Sequence, residues 1–115
     1  MMANNKRITV QFYKAASGNE PVLEWLKSLN RDDRKKIGSS LKTVEYGFPV
    51  GMPVSRHMGD GLYEVRTNLD NRIARILFCI EDDKMILLHG FIKKSEKTPK
   101  QDLELAQDRK KKTTK

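Results

Sequence analysis

Between Gly61 and Lys94 the chain alternates between apolar runs and polar breaks. Leu62 to Asn68, Ile73 to Ile80 and Met85 to Ile92 are rich in β-branched, aromatic and aliphatic side chains, while Leu69-Asp70-Asn71 and Glu81-Asp82-Asp83 carry turn chemistry. The pattern predicts a three-stranded antiparallel meander. Arg7 to Tyr13 adds a fourth strand, with Ile8, Val10 and Phe12 on one side and Thr9, Gln11 and Tyr13 on the other. Between these strand regions the period changes. Val22, Leu26 and Leu29 recur at helical spacing beside Trp25, with Asn19 as candidate cap and Pro21 in the first turn. A second helix restarts at Asn30, with Asp32 and Asp33 at its electropositive end, and Ile37, Leu41 and Val44 carry its apolar stripe to a stop at Gly47. Phe48 to Asp60 contains two prolines and two glycines and predicts an irregular loop that ends in Ser55-Arg56-His57. Lys100 to Lys112 has a weak helical pattern through Leu103, Leu105 and Ala106, and the basic stretch from about residue 110 to 115 predicts a disordered tail. The sum is one α+β domain over residues 1–115: a helical hairpin packed on a four-stranded antiparallel twisted sheet, with a short C-terminal helix.

Charge narrows the choice of partner. Lys and Arg number 23 against 15 Asp and Glu, a net charge of +8, so RNA, DNA or an acidic protein leads the candidates. Cys79 is the only cysteine, which excludes an internal disulfide and a Cys-cluster metal site and fits a reducing cytoplasm. No apolar run is long enough to span a bilayer, and MMANNKR lacks the apolar core of a signal peptide. Glycine-rich phosphate loops, metal triads and Ser/His/Asp patterns are absent, so no cofactor is expected.

Two arginines stand out within the meander. A two-residue turn at Asp70-Asn71 sets Arg66 directly opposite Arg75, on the same face of the sheet. Like charges so placed repel, and a sheet tolerates them when solvent screens both or an anion sits between them. Glu64 shares that face by the two-residue period. His89 depends on the second turn: a two-residue turn at Asp82-Asp83 sets Gly90 opposite Arg75 and turns His89 away, whereas a three-residue turn brings His89 onto the arginine face. Tyr63 falls on the opposite face from Arg66, where core packing suits it.

The ordered set GLYEVR, NRIARILF and LLHGFIKKSEKTP, followed by a lysine-rich helix, resembles the HigB-type, phage-derived branch of the RelE/ParE toxin superfamily. The opening strand ITVQFY, the hairpin with EWL and the loop into GDGLYEVR fall in the same order, so the resemblance spans nearly the whole chain. It implies a RelE-like fold, a cytoplasmic toxin encoded beside a helix-turn-helix antitoxin of HigA type, and metal-free cleavage of mRNA on the ribosome. In such a reaction the ribose 2′-OH attacks the adjacent phosphate, which requires a proton acceptor, cations for the phosphorane and a proton for the leaving 5′ oxygen.

Arg66 and Arg75 match basic positions of the family's active face, and guanidiniums suit phosphate oxygens. Lys93 and Lys94 match basic positions at the strand exit, with Lys94 assigned to the reaction and Lys93 to flanking phosphate. Arg56, Arg72 and Lys97 are further candidates for nucleic-acid contact. His57, in the loop before GDGLYEVR, is the first choice for proton transfer, with His89 and Glu64 left open. The chain departs from relatives that carry a tyrosine or histidine near the C-terminus, since neither follows Phe91. The expected function is a ribosome-dependent mRNA endoribonuclease. The rivals are a ParE-like gyrase inhibitor without catalysis and a non-catalytic basic docking module.

Overall fold

The computed structural model describes residues 6–48, 55–93 and 97–113, and the backbone alone of residues 55 and 56. In chain order the elements are β1 (Thr9–Phe12), α1 (Pro21–Ser28), α2 (Arg31–Gly47), β2 (Ser55–Gly59), β3 (Leu62–Leu69), β4 (Arg72–Glu81), β5 (Lys84–Lys93) and α3 (Lys100–Thr113). The strands form one sheet in the order β1-β5-β4-β3-β2.

Among the described residues the sheet therefore has five strands rather than four, and it is mixed rather than wholly antiparallel. Thr9 to Phe12 pair in parallel with Lys84 to Leu87. The additional strand, β2, lies at the end of the segment read as a loop, and it pairs antiparallel with β3. Its hairpin turns at Asp60-Gly61, both with positive φ (52° and 76°), a conformation that an Asp-Gly pair adopts readily.

Two layers of apolar side chains hold the sheet. On one face Val65, Ile76, Phe78, Met85 and Leu87 pack against Val22, Leu26, Ile37, Leu41 and Val44 of the helical hairpin. On the other, Leu62, Leu77, Cys79, Ile86 and Leu88 pack with Tyr13 and with Ala106 of α3. The terminal helix is more firmly seated than its weak apolar pattern suggests. Arg109 donates to the Leu88 carbonyl at 2.8 Å and lies over the Tyr13 ring at 5.7 Å, so polar and cation–π contacts supplement a small apolar face. It continues through Lys110, Lys111 and Lys112, where the sequence suggested a tail.

Local signals explain most of the boundaries. Asn30 caps α2, its side chain accepting from the Asp33 amide at 2.8 Å, whereas α1 begins after Glu20 without a side-chain cap, so Asn19 does not serve that role. The edge strand β1 is also held from the side. Glu45 of α2 accepts from the Val10 amide at 2.7 Å, and its own carbonyl accepts from Arg7 and Ile8, which occupies donors that an open edge would present.

Gly90 marks a close approach. A Cβ there would lie 2.5 Å from Cζ3 of Trp25, well inside contact distance. Gly90→Ala is expected to lower the unfolding free energy by about 1–3 kcal/mol, through displacement of the indole from the core. Urea denaturation monitored by the fluorescence of this single tryptophan would check it, and an unchanged midpoint would contradict it.

Candidate functional site

The site begins with the β3–β4 hairpin. Its turn at Asp70-Asn71 pairs Leu69 with Arg72 and so sets Arg66 opposite Arg75, as the turn chemistry predicted. The anion between them is Glu64, two residues before Arg66 on the same strand. Its Oε1 lies 3.9 Å from Arg66 Nε, and its Oε2 lies 3.9 Å from Arg75 Nη1. Thr98, just before α3, donates to Glu64 Oε2 and accepts from Arg75 Nη1 at 3.1 Å. Glu64 and Arg75 are wholly buried. Arg66 keeps 15% of its side chain exposed.

That geometry divides the two arginines by role. Arg75 has its charge engaged by Glu64 beneath Thr98, so it cannot reach a phosphate in this arrangement and instead fixes the position of Glu64. Arg66 stands at the rim and can. A buried ion pair is retained only where each charge is matched by its partner and by hydrogen bonds, and here Thr98 bridges the two.

The second strand pair extends the cluster. The β4–β5 turn is the two-residue one, Asp82-Asp83, with Glu81 paired to Lys84. A register shift between Leu77 and Phe78 nevertheless moves the rest of the ladder by one residue, so Arg75 pairs with Phe91 and Leu77 with His89. Leu88 is the extra residue. A β-bulge therefore does what a longer turn would have done, and His89 lies on the arginine face. There its Nε2 is 2.6 Å from Oδ1 of Asp102 in the first turn of α3, and Lys93 Nζ is 3.5 Å from Oδ2 of the same carboxylate. Lys93 also lies over the Phe91 ring at 5.8 Å, and His89 stacks on that ring with centroids 5.4 Å apart. Glu64, Arg66, Arg75, His89, Lys93 and Asp102 thus occupy one face, around the start of α3.

The description Phage derived protein Gp49-like (DUF891) belongs to a family model that matches residues 24–111, more than half of the chain and all of this face. The chain belongs to the Gp49-like family. That family is part of the RelE/HigB-like toxin superfamily, so a phage-derived, toxin-like protein is the established frame for the site. No curated protein matches the chain significantly.

Not all the predicted residues of this Gp49-like protein join that face. His57 pairs with Tyr63 across β2 and β3 and packs on its ring at 4.9 Å, on the hairpin-helix face, so the sheet separates it from Arg66. Tyr63 in turn stacks on Phe78, a packing role. Arg72 holds Asp33 at 3.1 Å and donates to the Asp70 carbonyl at 3.2 Å, which ties the β3–β4 turn to the start of α2 rather than to the arginine face. Arg56 is the register partner of Glu64, and Lys97 is exposed in the turn before α3. Lys94 lies outside the described residues.

Sequence reasoning passed over Asp102, the carboxylate on which His89 and Lys93 converge. Its signal was an acidic residue in the first turn of a helix next to a cationic strand end. Cys79 is no nucleophile: burial raises its thiol pKa, outweighing a hydrogen bond from Thr113. Among the described residues no group of three His, Cys, Asp or Glu side chains is placed to hold a metal ion, and no helix is long and apolar enough to cross a membrane. An open cleft of about 440 Å³ lies between the end of β1 and the end of α3, lined by Phe12, Tyr13, Ile86 and Lys112, and contains none of the clustered charges.

Proposed function

We propose that this Gp49-like chain is the toxin of a toxin–antitoxin pair and acts as a metal-independent endoribonuclease on mRNA held in the ribosome. The observation that carries this reading is the convergence of Arg66, Lys93 and His89 on one face. Two cations accompany a group suited to proton transfer, each with some exposed surface. Cleavage through the ribose 2′-OH needs that combination. Arg66 offers planar donors to the phosphorane oxygens, Lys93 adds a second positive charge, and the buried Glu64–Arg75 pair ties β3 to β4 beneath them. The net charge of +8 supports approach to a ribonucleoprotein target. A helix-turn-helix antitoxin that covers the arginine face would keep the host safe.

The test is primer extension on mRNA in programmed ribosomes with purified, antitoxin-free protein in EDTA. Cuts in the decoding site that leave 2′,3′-cyclic phosphate and 5′-OH ends are the expected result. Folded protein that leaves the message intact would sink the nuclease reading, and relaxation and cleavage assays with DNA gyrase would then decide whether the same face inhibits that enzyme.

A further inference from the structure

We propose that His89 is the proton acceptor for the attacking 2′-OH and that Asp102, supplied by α3, is its positioning residue. The inference deepens the nuclease reading and rests on it. His89 Nε2 lies 2.6 Å from Asp102 Oδ1, so the carboxylate takes the Nε2 hydrogen and the imidazole lone pair is left on Nδ1. Asp102 is 9% exposed, and a carboxylate is costly on the inward side of a helix unless it is matched. It is matched twice, by His89 and by Lys93 at 3.5 Å.

The ring is held from both sides, by Asp102 and by the stacked Phe91, while 15% of the His89 side chain remains exposed. A base that is oriented but accessible has the form of a proton-transfer group, and carboxylates orient imidazoles in this way in many catalytic sites. The bulge at Leu88 is what brings His89 to this face, and bulges recur beside active sites, where the extra residue re-aims the side chains that follow it.

The step balances. Nδ1 takes the proton from the 2′-OH as the 2′ oxygen forms a bond to phosphorus. The bond from phosphorus to the 5′ oxygen breaks, that oxygen takes a proton from water, and the imidazolium later returns its proton to solvent. Arg66 and Lys93 hold the phosphorane charge. Because Thr98 comes from the segment that leads into α3 and Asp102 from its first turn, the site is incomplete until that helix is docked.

The experiment measures single-turnover cleavage of ribosome-bound mRNA by the wild type, His89→Gln, Asp102→Asn and Asp102→Glu, with a thermal melt of each. His89→Gln is expected to lower the cleavage rate by about 10²–10⁴-fold while the protein concentration for half-saturation stays within about twofold. Asp102→Asn is expected to lose about 10–100-fold in rate, with partial recovery in Asp102→Glu. Imidazole ¹⁵N spectra supply a readout that packing alone would not move. The wild type should show the proton on Nε2, and Asp102→Asn should shift the tautomer balance toward Nδ1.

Cleavage within about threefold of wild type in folded His89→Gln would overturn the proposal and leave the nuclease intact. So would a wild-type imidazole protonated on Nδ1. A substrate with a 5′-bridging sulfur, a better leaving group, should not rescue His89→Gln; rescue would make His89 the acid and refute its role as acceptor. Absence of any cutting by the wild type overturns both readings together.

Discussion

Arg75→Ala is expected to lower the unfolding free energy by about 3–5 kcal/mol, toward the smaller value because Arg66 remains 3.9 Å from Glu64. The arginine is wholly buried, as is Glu64, and its removal takes from the buried carboxylate one of two guanidiniums that stand at the same 3.9 Å. The loss comes chiefly from a buried carboxylate that has lost one of its cations. The double replacement Glu64→Leu, Arg75→Met should therefore recover most of the stability, since two well-packed apolar side chains often match or exceed a buried ion pair. Urea titration of the three proteins would check the sign. A single variant within about 1 kcal/mol of wild type would mean that Glu64 is compensated without Arg75.

Arg66→Ala is expected to reduce cleavage by about 10²–10³-fold, the usual cost of removing one donor aimed at developing oxyanion charge. Stability should fall less than in Arg75→Ala, because Arg66 keeps part of its side chain in solvent whereas Arg75 is wholly buried. Arg66→Lys keeps the charge but loses the planar pair of donors, so its activity should lie between the two. The docking alternative predicts something else: modestly weaker binding to RNA or ribosomes and a salt slope reduced by about one, without a chemical step to lose. Cleavage rates and salt-dependent binding, measured on the same preparations, separate the two.

The opposed arginines were legible because a two-residue turn dictates register, and Asp70-Asn71 announces that turn. Their unequal burial was not. It depends on Thr98, more than twenty residues beyond Arg75, arriving over the Glu64 carboxylate, a contact that no local pattern encodes. His89 illustrates a different limit. The two alternatives for the Asp82-Asp83 turn were sound, yet the extra residue sits at Leu88, within the strand, where an apolar sequence gives no sign of a bulge. For β2, prolines and glycines upstream obscured a strand whose hairpin signal, Asp60-Gly61, was present. His57 followed from that error. As a loop residue it could be imagined beside Arg66, but as a strand residue paired with Tyr63 it is committed to the other face. The parallel partner of β1 was out of reach, because period-two alternation fixes which side chains share a face but not the direction of the neighbouring strand.

That parallel pairing also governs when the protein can exist. Thr9 pairs with Lys84, so β1 waits for its strand partner until the helical hairpin and the three intervening strands have been made, and such long-range closure is slow compared with forming the hairpins. Thr98 and Asp102 follow later still. A protein proposed to cut messages in the decoding site therefore acquires that capacity only after Asp102 has been made, when the helical hairpin and every strand of the sheet have already been synthesised.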